Sequence, residues 1–336
     1  MNEKKLLVFT HGGGRLANQL TNYAHLYAFW LEQCDRFDVM NLAFSPYASL
    51  FAGSEGSRIG TFPEGLKRWK FISTILAPFL SSRENNTRTL SNQVMRVLHL
   101  LFGMTPGIQS IKKGVAPNYL PFLYGSRVPD LGFDDPASLA LLGQKQTTLL
   151  AGWPVRGWKT FERHADEIRS FFRTSSGYRQ RAESFIQDIR SSHNVLIGVL
   201  MRQDDYRIWN NGAYFFSTEQ YVEWMRQIMS LPVGKNARFV IASDERQDRS
   251  RFEGLPVSYT TGQKMGDGHF IESFTELSMC DYVLTPPSTF GIWAAFLGDV
   301  PIIPVYEKGQ VISEDQFLRR NIFDAIHHPH MSVSIQ

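Results

Sequence analysis

Near the middle of the chain the run Asn194-Val-Leu-Ile-Gly-Val-Leu200 is apolar throughout its length apart from its first residue and one glycine, and it breaks into Met201-Arg202-Gln203-Asp204-Asp205-Tyr206. A run so short and so uniformly apolar reads as a strand buried on both faces, which is the habit of parallel sheets covered by helices. The arginine and aspartates that follow then fall at the strand's C-terminal end, where open α/β sheets hold ligands. Two other segments repeat the design. Asp281-Tyr-Val-Leu-Thr285 breaks into Pro286-Pro287-Ser288-Thr289-Phe290 and a helix, and Lys5-Leu-Leu-Val-Phe-Thr10 runs into His11-Gly12-Gly13-Gly14-Arg15 before a long periodic helix. Glycines, hydroxyls and arginines at strand-to-helix turns suit an anionic, phosphate-bearing ligand.

The second half alternates regularly. Strands at Val195–Leu200, Arg238–Ala242, Tyr282–Thr285 and Val300–Val305 are separated by helices at about Thr218–Met229, Phe270–Met279 and Thr289–Leu297, which predicts a parallel sheet. Ser217, with Gln220 three residues on, reads as a capping box. In the first half, Leu16, Leu20, Tyr23, Ala24, Tyr27 and Leu31 recur at three- and four-residue spacing and predict one helix from Leu16 to Cys34. Strands are expected at Phe37–Leu42 and Thr147–Ala151, and a helix at Phe161–Phe172. Residues 45–143 follow no regular pattern and are read as a variable, substrate-facing region. A chain of 336 residues exceeds one typical core and suits two α/β domains of about 150 residues. We expect domains at 1–176 and 190–336, joined by a helix at 177–189, with a cleft between them.

Bulk properties exclude several classes. A net charge of +3 with scattered Lys and Arg argues against a nucleic-acid partner. The two cysteines, Cys34 and Cys280, lack a C-x-x-C partner, which argues against a disulfide scaffold or a structural zinc and fits a reducing cytosol. No secretory h-region follows Met1, and no segment reaches the roughly 20 apolar residues of a membrane span. A soluble, cytoplasmic protein is expected. The apolar stretches Phe71–Leu80 and Val94–Met104 read as core or lid helices; amphipathic helices giving peripheral contact with the inner membrane are the alternative.

Four blocks together resemble a known family. Gly14-Arg15-Leu16-Ala17-Asn18-Gln19 resembles the Gly-x-x-x-Asn-Gln opening of α-1,2-fucosyltransferases and protein O-fucosyltransferases. Leu150-Ala-Gly-Trp153 with Trp158-Lys-Thr-Phe161 is similar to a block of the bacterial α-1,2-fucosyltransferases. Arg202-x-x-Asp205-Tyr206 is similar to their His-x-Arg-Arg-Gly-Asp-Tyr motif, and Ser288-Thr289-Phe290 with Trp293 and Ala294 to their Ser-Thr/Ser-Phe-x-x-Trp block. The resemblance spans nearly the whole chain. It implies a GT-B-type α/β fold of two Rossmann-like doubly wound domains facing a cleft, and an inverting, metal-independent transfer of L-fucose from GDP-fucose, as donor substrate, to a glycan or lipid-linked glycan acceptor, with no cofactor. The α-1,2 linkage and a bacterial polysaccharide acceptor come from the resemblance alone. The chain departs from the motifs where Leu200, Gln203 and Asp204 replace the family's histidine, second arginine and glycine, where Ala17 replaces the glycine before Asn-Gln, and where Ser273, beside Glu272, replaces an aspartate. Those changes keep two alternatives open: another nucleotide-activated sugar, or a non-catalytic sugar- or nucleotide-binding protein.

Residue chemistry ranks the candidates. Arg202 is the first: a guanidinium forks two diphosphate oxygens and stays charged at any working pH. Its plain alternative is an ion pair with Asp205 or Asp244. Ser288 and Thr289 offer hydroxyls and helix-start N–H groups to phosphate, or merely cap a helix. Phe290 leans on the base or the sugar, or is core. Asp244, just past a strand, suits ribose hydroxyls or a guanine edge. Gly13 and Gly14 permit close backbone approach, and Asn18 and Gln19 would position the sugar. For the proton of the acceptor hydroxyl the candidates are His11, Asp204 and Glu272. Trp153 and Trp158 are expected to present the acceptor.

Overall fold

The computed structural model describes residues 4–11, 14–54, 60–62, 107–113, 131–152, 155–317, 322–327 and 330. The chain forms two compact units, Met1–Arg173 and Thr174–Gln336, and both are α/β structures built on sheets that are largely or wholly parallel.

In the first unit β1 (Lys5–His11) leads to α1 (Leu16–Gln33) and β2 (Phe37–Asn41). There follow β3 (Gly60–Phe62), β4 (Ile108–Lys113), β5 (Leu131–Gly132), α2 (Pro136–Leu142), β6 (Thr147–Gly152), β7 (Val155–Arg156), α3 (Trp158–Arg163) and α4 (Ala165–Phe171). The main sheet has the order β3-β2-β1-β6-β4, with only β3 antiparallel to its neighbour. Helix α1 spans the expected residues, but its burial is wider than the expected stripe: Leu16, Leu20, Tyr23 and Ala24 are buried and Tyr27 and Leu31 half-buried, while Asn22, His25 and Phe29 are buried as well. Tyr23 anchors an aromatic core, with ring centroids 4.7 Å from Phe44 and 5.3 Å from Phe172, an arrangement that adds edge-on attraction to the area buried. The single helix expected over Phe161–Phe172 is two, broken at His164, whose backbone leaves helical geometry (φ −106°, ψ 25°). Its ring lies 3.4 Å from Glu32, so a tertiary contact holds the bend that periodicity does not register.

In the second unit α5 (Ser176–Arg190) precedes β8 (Val195–Met201), α6 (Thr218–Ser230), β9 (Ala237–Ser243), β10 (Val257–Tyr259), α7 (Phe270–Ser278), β11 (Tyr282–Thr285), α8 (Thr289–Gly298), β12 (Ile302–Pro304) and α9 (Ile322–His327). The sheet order is β10-β9-β8-β11-β12, every pairing parallel. The expected strands and helices of this half lie within two residues of these bounds, while β10 escaped notice because it is a three-residue edge strand. Ile197, Val199, Phe216, Tyr221, Trp224 and Phe239 form the core. Ser217 caps α6 through Gln220 N, but the Gln220 side chain reaches Gly309 N rather than closing a capping box. Helix α5, read as a connector, is a packed part of this unit. Arg190 forks Asp281 at 3.0 Å through two nitrogens and bonds the Met279 carbonyl, while Asp281 also accepts from Leu196 N at 2.7 Å. Cys34 and Cys280 are free thiols.

Candidate functional site

In the second unit the chain winds outward from β8 to β9 and β10, then returns to lay β11 on the other side of β8. That reversal is a topological switch point, and the crevice beyond the C-terminal ends of β8 and β11 is where a doubly wound sheet takes a ligand. Arg202 follows β8, Ser288 and Thr289 follow β11, and Asp244 follows β9.

Arg202 is the hub. Its Nη2 donates to Asp205 Oδ1 at 2.6 Å, its Nε lies 3.3 Å from Asp244 Oδ2, and its Cζ sits 4.8 Å from the Tyr206 ring centroid. Burial works against its charge, but Tyr206, Asp244 and Asp205 outweigh burial and raise its pKa. Both ion pairs weighed as the plain alternative exist. Asp244 is further occupied: its Oδ1 accepts from Gln203 N at 2.8 Å and from Asp204 N at 3.3 Å. Burial raises its pKa against the pull of Arg202. Among the described residues Oδ2 makes no hydrogen bond and only faces Arg202 Nε, so it is through Oδ1 that Asp244 shapes the turn that aims Arg202. Tyr221 Oη accepts from Arg202 N at 3.3 Å, and burial raises the phenol's pKa strongly.

Across the switch point Tyr206 Oη donates to the Pro287 carbonyl, with the Ser288 hydroxyl beside it. Ser288 is buried and makes no side-chain bond to the first turn of α8, so simple capping does not account for it. Among the described residues the first N–H groups of α8 therefore carry no side-chain cap at the mouth of the sheet. Gly291 explains how close α8 comes: a Cβ there would stand 2.3 Å from Thr285 Oγ1. Phe290 packs on Phe274, centroids 5.1 Å apart, which gives it a core contact. Asp204 is exposed beside Arg202.

Glu272 belongs to a different cluster. Its Oε1 takes Arg181 Nε and Nη2 at 3.0 and 2.7 Å, and its Oε2 accepts from Thr261 Oγ1 at 3.0 Å. One turn on, buried Glu276 accepts from Thr261 N and Oγ1, and burial raises its carboxyl to about 7.

In the first unit Gly14 adopts φ +69°, and a Cβ there would stand 2.3 Å from Asn18 Nδ2. The glycine and the asparagine are thus one steric unit. Asn18 Oδ1 is buried without a hydrogen-bond partner among the described residues, and Gln19 is buried. A polar stripe continues along α1: Arg156 Nη1 donates to Asn22 Oδ1 at 2.8 Å, and His25 Nδ1 accepts from Gly157 N at 3.2 Å. Burial lowers Arg156 to about 10 and, with Arg156 nearby, depresses His25 well below its ordinary value. Trp158 packs edge-on to His25 at 4.4 Å. Gly12, Gly13, Trp153, the His11 side chain and the stretches 71–80 and 94–104 lie outside the described residues.

Sequence reasoning missed Tyr221, Gln247, Asn22, His25 and Arg156. Gln203 was seen only as a departure; it is buried and braces the turn through the Phe216 carbonyl at 2.9 Å and Gln247 at 2.8 Å. Tyr206 and Gln203 stood inside a quoted motif, but the others carry no local signal. Among the described residues no group of three His, Cys, Asp or Glu is placed to hold a metal ion, and no helix is long and apolar enough to cross a membrane.

No family model matches the chain. It is 28% identical over 189 residues to galactoside alpha-(1,2)-fucosyltransferase 1 of Aotus azarae, covering 51% of this chain and 48% of that protein. It is 26% identical over 183 residues to galactoside alpha-(1,2)-fucosyltransferase 2 of Bos taurus, covering 51% and 50%. The chain thus spans about half the length of the curated relatives it matches. Among solved structures it is similar to a mutant of Arabidopsis thaliana FUT1 in complex with GDP, with a TM-score of 0.53 and 14% identity over 94% of this chain and 73% of that one. It is also similar to NodZ alpha-1,6-fucosyltransferase co-crystallized with GDP, with a TM-score of 0.50 and 16% identity over 93% and 98%. At such identity these two likenesses establish a shared fold.

Proposed function

We propose that the chain is an inverting glycosyltransferase that moves L-fucose from GDP-fucose to a hydroxyl of a glycan acceptor, forming an α-1,2 linkage. The observation that carries this reading is Arg202, a half-buried guanidinium at the switch point opposite the start of α8, whose N-cap Ser288 makes no side-chain capping bond. It is supported by sequence relatives named as alpha-(1,2)-fucosyltransferases and by fold neighbours solved with GDP.

In this reading the acceptor oxygen bonds to the fucose anomeric carbon as the bond from that carbon to the diphosphate oxygen breaks, and the electron pair leaves with GDP. Charge grows on the diphosphate in the transition state, so Arg202 and the N–H groups of α8 stabilise it more than the ground state. Arg202 thereby supplies positive charge without a metal. The acceptor proton goes to Asp204 or His11; Glu272, clamped by Arg181, is the weaker candidate. Ser288 and Thr289 bind the diphosphate, and Gly14, Asn18 and Gln19 line the sugar side. The reading includes a GT-B-type pair of Rossmann-like domains, the first serving the acceptor, and a cytoplasmic location at or near the inner membrane, where a bacterial polysaccharide precursor would be met.

Calorimetric titration with GDP, UDP, dTDP and ADP in EDTA, on the wild type and Arg202→Ala, tests it. GDP alone binds, and the variant weakens it by about 2 kcal/mol, as for a lost charged contact. Preference for another nucleotide redirects the donor, and no binding at all refutes the reading.

A further inference from the structure

Immediately after Asp205 and Tyr206 the chain makes a projecting turn at residues 207–214. Asn210 and Asn211 both adopt left-handed backbone (φ 48° and 56°), followed by Gly212 (φ 72°). Consecutive non-glycine residues in this region are uncommon and strained, so the surroundings must hold them there. They do. Arg207 pairs with Glu245 at 2.6 Å and lies 4.7 Å from the Phe215 ring centroid, and Tyr214 Oη meets His330 Nδ1 at 3.0 Å. Trp209 is gripped from two sides, 4.9 Å from Tyr206 and 5.6 Å from Tyr214 between centroids.

Among the described residues the side chains of Ile208, Asn210 and Asn211 on this turn make no hydrogen bond or ion pair. Ile208 is 82% exposed, the largest exposure among the large hydrophobic side chains of the described residues. Asn210 and Asn211 are exposed beside it, and Trp209 is half-buried. An exposed apolar side chain next to two exposed amides matches a pyranose ring, which has an apolar C–H face and a rim of hydroxyls that accept and donate hydrogen bonds. The position is equally telling. Tyr206 lies under the Arg202 guanidinium and against Trp209, so the turn stands one aromatic ring away from the group that would hold the diphosphate. A sugar bound there would sit beside the anomeric carbon being transferred.

We infer that residues 208–211 form the docking platform for the terminal sugar ring of the acceptor, with Ile208 against its apolar face, Asn210 and Asn211 on its hydroxyls, and Trp209 as the support that Tyr206 and Tyr214 hold in place beneath them. This rests on the glycosyltransferase reading and deepens it, assigning to the second unit a task expected of the first. Preorganisation is the physical benefit: a turn already held in its binding shape loses little entropy when the ring arrives.

The test follows saturation-transfer NMR of GDP-loaded protein with lactose and with the methyl glycosides of galactose, glucose and N-acetylglucosamine. The variants are Ile208→Ser, whose side chain is exposed, and Asn211→Gly, which removes the amide but keeps the left-handed backbone. At least one glycoside gives a saturable signal with the wild type, and both variants weaken it about tenfold while GDP affinity and thermal midpoint stay unchanged. Glycoside affinity unaltered in both variants, or no glycoside bound by GDP-loaded wild type, overturns the platform alone. A wild type that binds no GDP overturns the underlying reading, and the platform with it.

Discussion

Tyr206 Oη donates to the carbonyl of Pro287, 81 positions further along the chain, and so fastens the turn after β8 to the turn that starts α8. The two halves of the candidate diphosphate site are therefore tied together through one buried phenol hydroxyl, while the same ring supports Arg202 from below. Tyr206→Phe keeps the ring and deletes the bond. It leaves the Pro287 carbonyl buried and unpaired, which costs about 1–3 kcal/mol. We expect a thermal midpoint lower by several degrees in scanning calorimetry and GDP binding weakened several-fold. Unchanged values for both would show that the bond does not set the register.

Asp244 offers a sharper distinction. If it aims Arg202 through the Gln203 and Asp204 amides, Asp244→Asn keeps an accepting oxygen for those amides and should hold GDP affinity within a few-fold. Asp244→Ala removes the support and leaves Arg202 with Asp205 as its remaining carboxylate partner. Breaking a buried pair costs about 3–5 kcal/mol, so the alanine variant should lose both stability and at least tenfold in GDP affinity. Equal losses in the two variants, measured by titration calorimetry, would instead indicate direct contact between this carboxylate and the nucleotide.

These two cases show what could be read from the sequence. The continuous apolar runs of β8, β9 and β11 announced a parallel sheet, and the positions of Arg202, Asp244 and Ser288 just past strand ends were legible because a strand end is a local signal. The tasks of those residues were not legible. The Tyr206–Pro287 bond and the Asn22–Arg156 bond join positions 81 and 134 apart, and no spacing rule reaches across such intervals. The bend at His164 and the short edge strand β10 were invisible for the opposite reason: each is too small to alter a periodicity averaged over a helix or a strand.

Glu276 gives the chain a pH dependence with a definite sign. Its carboxyl is fully buried, and burial, the largest cause, raises its pKa from 4.5 to about 7 against the hydrogen bonds from Thr261. The folded chain therefore holds this proton more tightly than the unfolded chain between those two values. Stability from this group is greatest on the acid side and falls as pH rises toward and through 7, by roughly 3 kcal/mol in all at about 1.4 kcal/mol per pKa unit. Glu276→Gln keeps an acceptor for Thr261 N and carries no charge. Denaturant unfolding between pH 5 and 8 should show the variant gaining on the wild type as pH rises; parallel curves would mean that the carboxyl titrates normally.

Gly14 and Asn18 should behave as a coupled pair. At φ +69° an alanine is strained whatever its surroundings, by about 1 kcal/mol. Its Cβ would also stand 2.3 Å from Asn18 Nδ2, so the amide must leave its place. Gly14→Ala therefore combines a backbone cost with a clash, and Asn18→Ala alone removes an amide whose Oδ1 has no partner among the described residues. In the double variant the clash disappears while the backbone strain stays. The destabilisation of the double variant should accordingly fall short of the sum of the two singles by about 1 kcal/mol or more, outside the few tenths expected of independent sites. Urea unfolding of the four proteins measures the cycle, and strict additivity would mean that the close approach of Gly14 to Asn18 relaxes without cost.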